Sequence, residues 1–339
     1  MRLMQNHLYK ALQEHERIVE IYKRDYAKKP DKRDWRTYEQ RLALRIKTAA
    51  KEIKPVVHEA YSLIHVRRKG PGSPEKVSTE KKVFLLLLKD IFQLSNRKMA
   101  NLLAMFTALT DIDISYKTVE RCYSDPLARM TIHNMFVILT ERKGIKEADT
   151  SGDGTGYSLT ITRHYRTVRE KELKDMKKEG SEKKSEKGKK RLFVRAFALR
   201  DLDTGLYIGF GTSMKSEKEA FDEALKMTRE MGITINSSRL DKLYSHQSIT
   251  KKFGKDTTLY IIPKKNATIR GSPEWKRMIR RFVDDQIGFL REYYKRNNSE
   301  SDFSRDKRMC GWTIVQKKDE RIDTALFCKG VWHNLMLMA

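Results

Sequence analysis

Cysteine chemistry is nearly absent from this chain. Cys122, Cys310 and Cys328 stand far apart, with no CxxC and no paired Cys/His spacing. Neither a zinc site nor a disulfide framework is indicated, and three ordinary thiols in a reducing compartment are expected. Long apolar runs are missing as well. The longest block, Val83 to Leu88, is core-sized and far short of a bilayer span. The first ten residues, MRLMQNHLYK, lack the apolar stretch of a signal peptide. We therefore expect no membrane association and a cytoplasmic location. Acidic residues are in short supply: 45 Asp and Glu against 71 Lys and Arg give a net charge of +26 over 339 residues. That excess argues against a typical enzyme of small metabolites. It points to a polyanion, because cationic side chains displace the counterions condensed on nucleic acid.

The length allows two or three domains. Residues 1–66 read as helix, rich in Lys, Arg, Glu and Tyr. Asp34 is placed to cap a long segment ending near Pro55, with Trp35, Tyr38, Leu42 and Ile46 at three- and four-residue spacing. Helix packing or a dimer contact is the expected role. The Gly- and Pro-dense string RRKGPGSPE marks a linker over 67–78. A second helical region, 79–140, carries three capping signals. Thr79 precedes Val83, Leu86, Leu87 and Ile91; Ser95 precedes Met99, Leu102, Leu103 and Phe106. Ser115 precedes Val119, Cys122 and Tyr123, with a stop at Asp125-Pro126. Short helices joined by a tight turn in a basic protein suggest a helix-turn-helix-like segment. It would offer Tyr116, Lys117, Glu120 and Arg121 to a DNA groove; a plain helical bundle is the alternative.

The pattern changes near Glu147. ADTSGDGTGYS leads into an expected strand over 157–162. The charge-dense stretch 163–191 reads as a solvated, mobile basic segment. Strands are expected over 192–199 and 206–211, then a helix capped by Ser216 and ended by Gly232. A strand over 233–240 delivers Asp241, helix follows over 243–253, and TLYIIP (258–263) is a buried strand. Pro273 opens one long helix, and the C-terminal part, 312–315 and then 321–338, ends in another apolar helix. The fold class of residues 147–339 is therefore α/β, a mixed sheet with helices packed on it.

The late helix holds the most pointed pattern. Tyr293, Arg296, Glu300 and Lys307 are spaced by three, four and seven positions, which return to one stripe of a helix. A carboxylate there can hold a divalent cation while a phenol and two cations grip phosphodiesters. Asp153 beside the first strand and Asp241 at the end of the fourth would complete a set of three carboxylates. Three carboxylates in one cleft call for divalent cations, and Mg²⁺ suits hard oxygen ligands and phosphate. Asp149 rivals Asp153, while Asp284, Asp285 and Asp302 rival Glu300. The poor helix formers Asn297, Asn298 and Ser299 predict a break just before Glu300.

Tyr293-x2-Arg296-x3-Glu300-x6-Lys307 resembles, without a gap, the signature of the YREK group of insertion-sequence transposases. The resemblance extends to DGTGYS around Asp153, RLDKLYS around Asp241, IIPKKN, and His333-Asn334 in the closing helix, covering roughly residues 147 to 335. It implies an RNase H-like core and a DDE triad of Asp153, Asp241 and Glu300 as catalytic and metal-binding residues. Two Mg²⁺ ions would be the cofactors, with Mn²⁺ able to substitute. Tyr293, Arg296 and Lys307 would bind DNA phosphates. The implied partner is double-stranded DNA, both the terminal inverted repeats of the element and its target. The expected assembly is a homodimer on that DNA in a prokaryotic nucleoid. Only 59 positions separate Asp241 from Glu300, too few for the β-rich insertion of some members, and Trp275 is the one tryptophan between them. A junction-resolvase type of nuclease and a non-catalytic DNA-binding protein derived from a transposase are the alternatives.

Overall fold

The computed structural model describes residues 3–26, 34–65, 77–107, 112–160 and 193–338. Most of the expected linker and all of the expected basic segment 163–191 lie outside these residues.

One long strand, β1 (Glu147–Leu159), organises the sheet. Antiparallel β2 (Phe193–Asp201) lies on one side of it, followed by antiparallel β3 (Tyr207–Ser213) at the edge. On the other side, β4 (Thr234–Arg239) and then β5 (Thr258–Tyr260) run parallel. The order is β3-β2-β1-β4-β5, and the two-residue β6 (Thr313–Ile314) pairs with the far end of β1. This is an open mixed sheet with helices on both faces, an α/β fold.

The small residues that disguise β1 in the sequence are strand residues, so the strand begins ten positions before the expected 157. A methyl group on Gly152 would come within 2.6 Å of the Leu240 side chain and 2.8 Å of Phe197. Glycine is needed there because neighbouring core side chains close directly over the strand.

Helices α1 (Gln5–Asp25) and α2 (Trp35–Ser62) pack on opposite faces of the sheet. Asp34 caps α2 as expected, accepting from the Arg36 and Thr37 amides. The helix does not end at Pro55 but continues to Ser62. Ile53, Val56, Val57 and Ala60 are buried along that turn, and their burial offsets the hydrogen bond that proline removes.

Next come α3 (Thr79–Ile91), α4 (Asn96–Met105), α5 (Tyr116–Cys122) and α6 (Pro126–Glu141). The cap of α3 is Ser78 rather than Thr79, whereas Ser95 and Ser115 cap α4 and α5 as read. Asp125-Pro126 proves to be a start signal as well as a stop. Asp125 accepts from the Ala128 amide, and Pro126 occupies the first turn of α6, where its missing N–H costs nothing. Helices α3, α4 and α5 share a small core of their own around Met99, Leu103 and Val119.

The remaining helices are α7 (Glu217–Glu230), α8 (Gln247–Phe253), α9 (Pro273–Asp284), α10 (Gln286–Tyr293), α11 (Asn297–Cys310) and α12 (Asp319–Met338). Ser216 caps α7. The expected single helix from Pro273 is divided. Asp285 adopts an extended conformation and caps α10 through the Gly288 amide. A 3₁₀ turn over Tyr294–Arg296 then tightens the path before α11 begins. Asn297, Asn298 and Ser299 are helical, contrary to the expected break, and the irregularity falls one turn earlier.

Candidate active site

Parallel pairing of β1 with β4 brings two of the three acids together. Ser151 is in register with Arg239, so Asp153 and Asp241 each follow by two residues on neighbouring strands. Asp153 sits within β1, opposite Ala198 of β2. Asp241 leaves β4 and caps a 3₁₀ turn, its Oδ1 accepting from the Leu243 amide at 2.7 Å. Helix α11 crosses above and is tied to β1 by a 2.6 Å hydrogen bond between the Ser151 and Ser299 hydroxyls. The residue after Ser299 is Glu300, whose side chain is 51% exposed.

A single guanidinium joins the three carboxylates. Arg296 Nη2 donates to Glu300 at 2.6 Å and lies 3.6 Å from Asp241, while Nη1 is 3.3 Å from Asp153. Arg296 is nearly buried and its Nε has no hydrogen-bond partner. Burial works against its charge, but Tyr293 and then the three acids hold its pKa above the ordinary arginine value. Burial pushes the Asp153 carboxyl up to about 6; Arg296 pulls it down, and Glu300 and Glu217 push it up again. At Asp153 burial thus outweighs the neighbouring arginine.

Among the described residues, no three acidic, histidine or cysteine side chains converge on one point as metal ligands do. They converge on Arg296 instead. The donor chemistry nevertheless fits a hard divalent cation: three carboxylates around a single guanidinium.

Lys307, two turns beyond Glu300, donates to the Thr155 hydroxyl at 2.6 Å and the Gly156 carbonyl at 2.9 Å. Burial lowers its pKa, and Asp153 raises it. Tyr293 is buried, and its ring centre is 5.7 Å from the Arg296 guanidinium carbon. The four residues of the stripe therefore line one side of the site, with the 3₁₀ turn between Tyr293 and Arg296.

The rival acids are engaged elsewhere. Asp302 pairs with Arg200 and Arg305, Asp285 caps α10, and Asp284 is exposed. Asp149 accepts from the Ser237 hydroxyl and lies 3.8 Å from Arg239. Trp275 is buried and donates to the Thr268 carbonyl at 2.7 Å, a packing role.

Sequence reasoning missed Glu217, Tyr244 and Arg239. The Glu217 carboxylate lies directly over Gly154, where any added methyl would strike it at 2.2 Å, and Tyr244 donates to it at 2.7 Å. An acid in a first helical turn reads as an ordinary complement to the helix dipole, so the sequence carries no sign of this placement. Arg239 is buried, pairs with Glu292 and lies over the Tyr260 ring, pinning β4 to α10.

In the helical region, Lys117 and Arg121 are exposed on α5 and Tyr116 is half-buried beneath Arg97 of α4. Glu120 faces inward, paired with Arg321 of α12. A cleft of about 550 Å³ opens elsewhere, lined in part by His133, Glu223 and Asp323. None of the three acids lines it.

A basic α/β protein with three carboxylates gathered on two strands and a crossing helix has the build of a nucleic-acid-processing enzyme. No family model matches the chain. It is 43% identical over 290 residues to the "Probable transposase for insertion sequence element ISA1214" of Archaeoglobus fulgidus, covering 86% of this chain and 84% of that protein. The chain belongs to the family of insertion-sequence transposases that this relative represents. No helix among the described residues is long and apolar enough to cross a membrane.

Proposed function

We propose that the protein is a DDE transposase with an RNase H-like core, which cuts the ends of its own insertion sequence and joins them to target DNA. The observation that carries this reading is the convergence of Asp153, Asp241 and Glu300 on one guanidinium. The strand order supports the RNase H-like assignment, and identity to a transposase over most of the chain favours it over a junction resolvase.

Asp153, Asp241 and Glu300 would hold two Mg²⁺ ions, or Mn²⁺ in their place, which activate the attacking oxygen and stabilise the leaving one when bound. The remaining residues bind and orient. Arg296 carries a planar fork of donors suited to a phosphate, and Lys307 and Tyr293 flank it. A phosphodiester entering the site would offer Arg296 another anion, so the guanidinium could exchange its carboxylate ion pairs for one with phosphate. Water would be the first nucleophile and the freed 3′-hydroxyl the second, with no covalent protein intermediate. Residues 79–140, with Tyr116, Lys117 and Arg121 on a helix-turn-helix-like segment, would bind the element's terminal repeats. A homodimer would pair two ends.

The test is metal-dependent cleavage of duplexes carrying the terminal repeats that flank the gene. Asp153→Ala, Asp241→Ala and Glu300→Ala should each lose at least about a hundredfold in rate, more than an outer-shell change typically costs. Undiminished cleavage by all three variants overturns the reading.

A further inference from the structure

Helix α3 ends in a way that favours glycine. The Leu94 amide donates to the Lys89 carbonyl and the Gln93 amide to the Asp90 carbonyl, both at 3.0 Å. In that paired pattern the residue after the helix cap takes a left-handed conformation and is usually glycine. Here it is Gln93, at φ +53°, the one non-glycine residue with positive φ among the described residues. A strained residue that persists points to a use for its side chain. The Gln93 side-chain amide donates to the Arg308 and Met309 carbonyls at 3.3 and 3.1 Å. Those carbonyls belong to the last turn of α11, which ends at Gly311 (φ +83°) and leaves them without partners inside the helix.

A second tie runs beside the first through the interior. The buried Lys329 ammonium of α12 donates to the Cys310 carbonyl, at the very end of α11, and to Asp90 of α3 at 2.9 Å. Buried Gln316, just past β6, donates to Asn96 in the first turn of α4 at 3.2 Å. The turn between α3 and α4 therefore caps the helix that carries Glu300 and Lys307. Glu300 lies ten residues before Cys310, about 15 Å along a helix at ~1.5 Å per residue. An axial shift of that turn is passed to it. We propose that Gln93 is a positioning residue: it locks the α3–α4 turn to the end of α11, so that DNA held by residues 79–140 sets where Glu300 stands. The DNA contact and the role of Glu300 rest on the function proposed above; the link between turn and helix does not.

The experiment uses the full chain and a duplex carrying the terminal repeats that flank the gene, and compares the parent with Gln93→Gly, Gln93→Lys and Gln93→Glu. Gln93 is exposed and glycine suits its backbone, so Gln93→Gly should melt within about three degrees of the parent. Its cleavage rate at saturating duplex should still fall on the order of tenfold, with the half-saturating concentration within about twofold. Gln93→Lys should keep most of the rate, because an ammonium also donates to helix-terminal carbonyls. Gln93→Glu should be the slowest, because its carboxylate meets the negative end of the helix dipole. A parent-like rate in Gln93→Gly overturns the proposal, as does weaker duplex binding at an unchanged saturated rate. A melting temperature that falls along with the rate makes the role one of stability and overturns it too. Hydrogen exchange without metal reads the link apart from the chemistry. Adding the duplex should change exchange over the last turns of α11 in the parent and not in Gln93→Gly. No change in the parent, or the same change in both, refutes the link. A parent that shows the difference but never cuts element ends would sink the transposase chemistry and leave the link standing.

Discussion

Arg296 and Glu300 are one helical turn apart, and the arginine donates to the glutamate at 2.6 Å while reaching one aspartate in β1 and one just beyond β4. The cation that neutralises the site is part of the chain. On the proposed function a metal ion would have to compete with it, and Arg296 would work against metal in free protein and for substrate once a phosphate is present.

Replacement of Arg296 separates those two effects. Arg296→Ala is expected to bind Mn²⁺ more tightly than the parent without DNA, on the order of tenfold, the scale of ordinary coupling energies. The same variant should bind element-end DNA more weakly. Calorimetric titration with Mn²⁺ measures the first, and weaker metal binding in the variant refutes the competition.

Asp153 sets a pH dependence. Its carboxyl is pushed up to about 6 in the fold, mainly by burial, from an ordinary value of 3.8. The folded state therefore holds this proton more tightly than the unfolded chain, and without metal the Asp153 contribution to stability falls as pH rises from about 4 through 6. Asp153→Asn should raise the melting temperature by a few degrees at pH 8 and change it little at pH 4. Melting curves at the two pH values decide; a lower melting temperature at pH 8 contradicts the assignment.

Lys307 should be visible in salt dependence. If it meets one phosphate, Lys307→Ala lowers the slope of log affinity against log salt by about 0.9 for duplex DNA. Binding isotherms between low and moderate salt give that slope, and an unchanged value removes Lys307 from the backbone contacts.

His333 anchors the helix from the far side. Its fully buried ring stacks on Tyr207 at 3.5 Å between centres, with Nδ1 3.0 Å from Asp306 and Nε2 3.0 Å from the Gly205 carbonyl. Asp306 lies on α11 next to Lys307. His333→Ala leaves a cavity and strips one partner from a buried carboxylate, at a cost of about 3 kcal/mol. Urea unfolding checks it; a loss below ~1 kcal/mol means the network is dispensable.

The sequence was most informative where the cause of structure is local. Asp34, Ser95, Ser115 and Ser216 cap helices because a short polar side chain can reach the free amides of the next turn, a relation contained within four residues. It misled where the cause is tertiary. The glycines of β1 look like a loop because nothing in the string reveals Leu240, Phe197 and Glu217 pressing on them from other elements. Pro55 and the asparagines before Glu300 were read by propensity, which packing overrode. The stripe of four polar residues was legible from spacing alone. That its arginine would stand among all three carboxylates was not, since that needs strands 143 and 55 positions away.

The close cover over β1 also bears on how the gene would look in a saturation mutagenesis screen. Gly152 and Gly154 contribute no functional group, yet an alanine at either would drive a methyl into Leu240 and Phe197 or into Glu217. Both flank Asp153, so both substitutions would shift it. If the acids act as proposed, a screen scored on transposition alone would rank these glycines with them. Only a parallel measure of protein abundance and DNA binding would separate residues that perform the reaction from those that must stay small beside it.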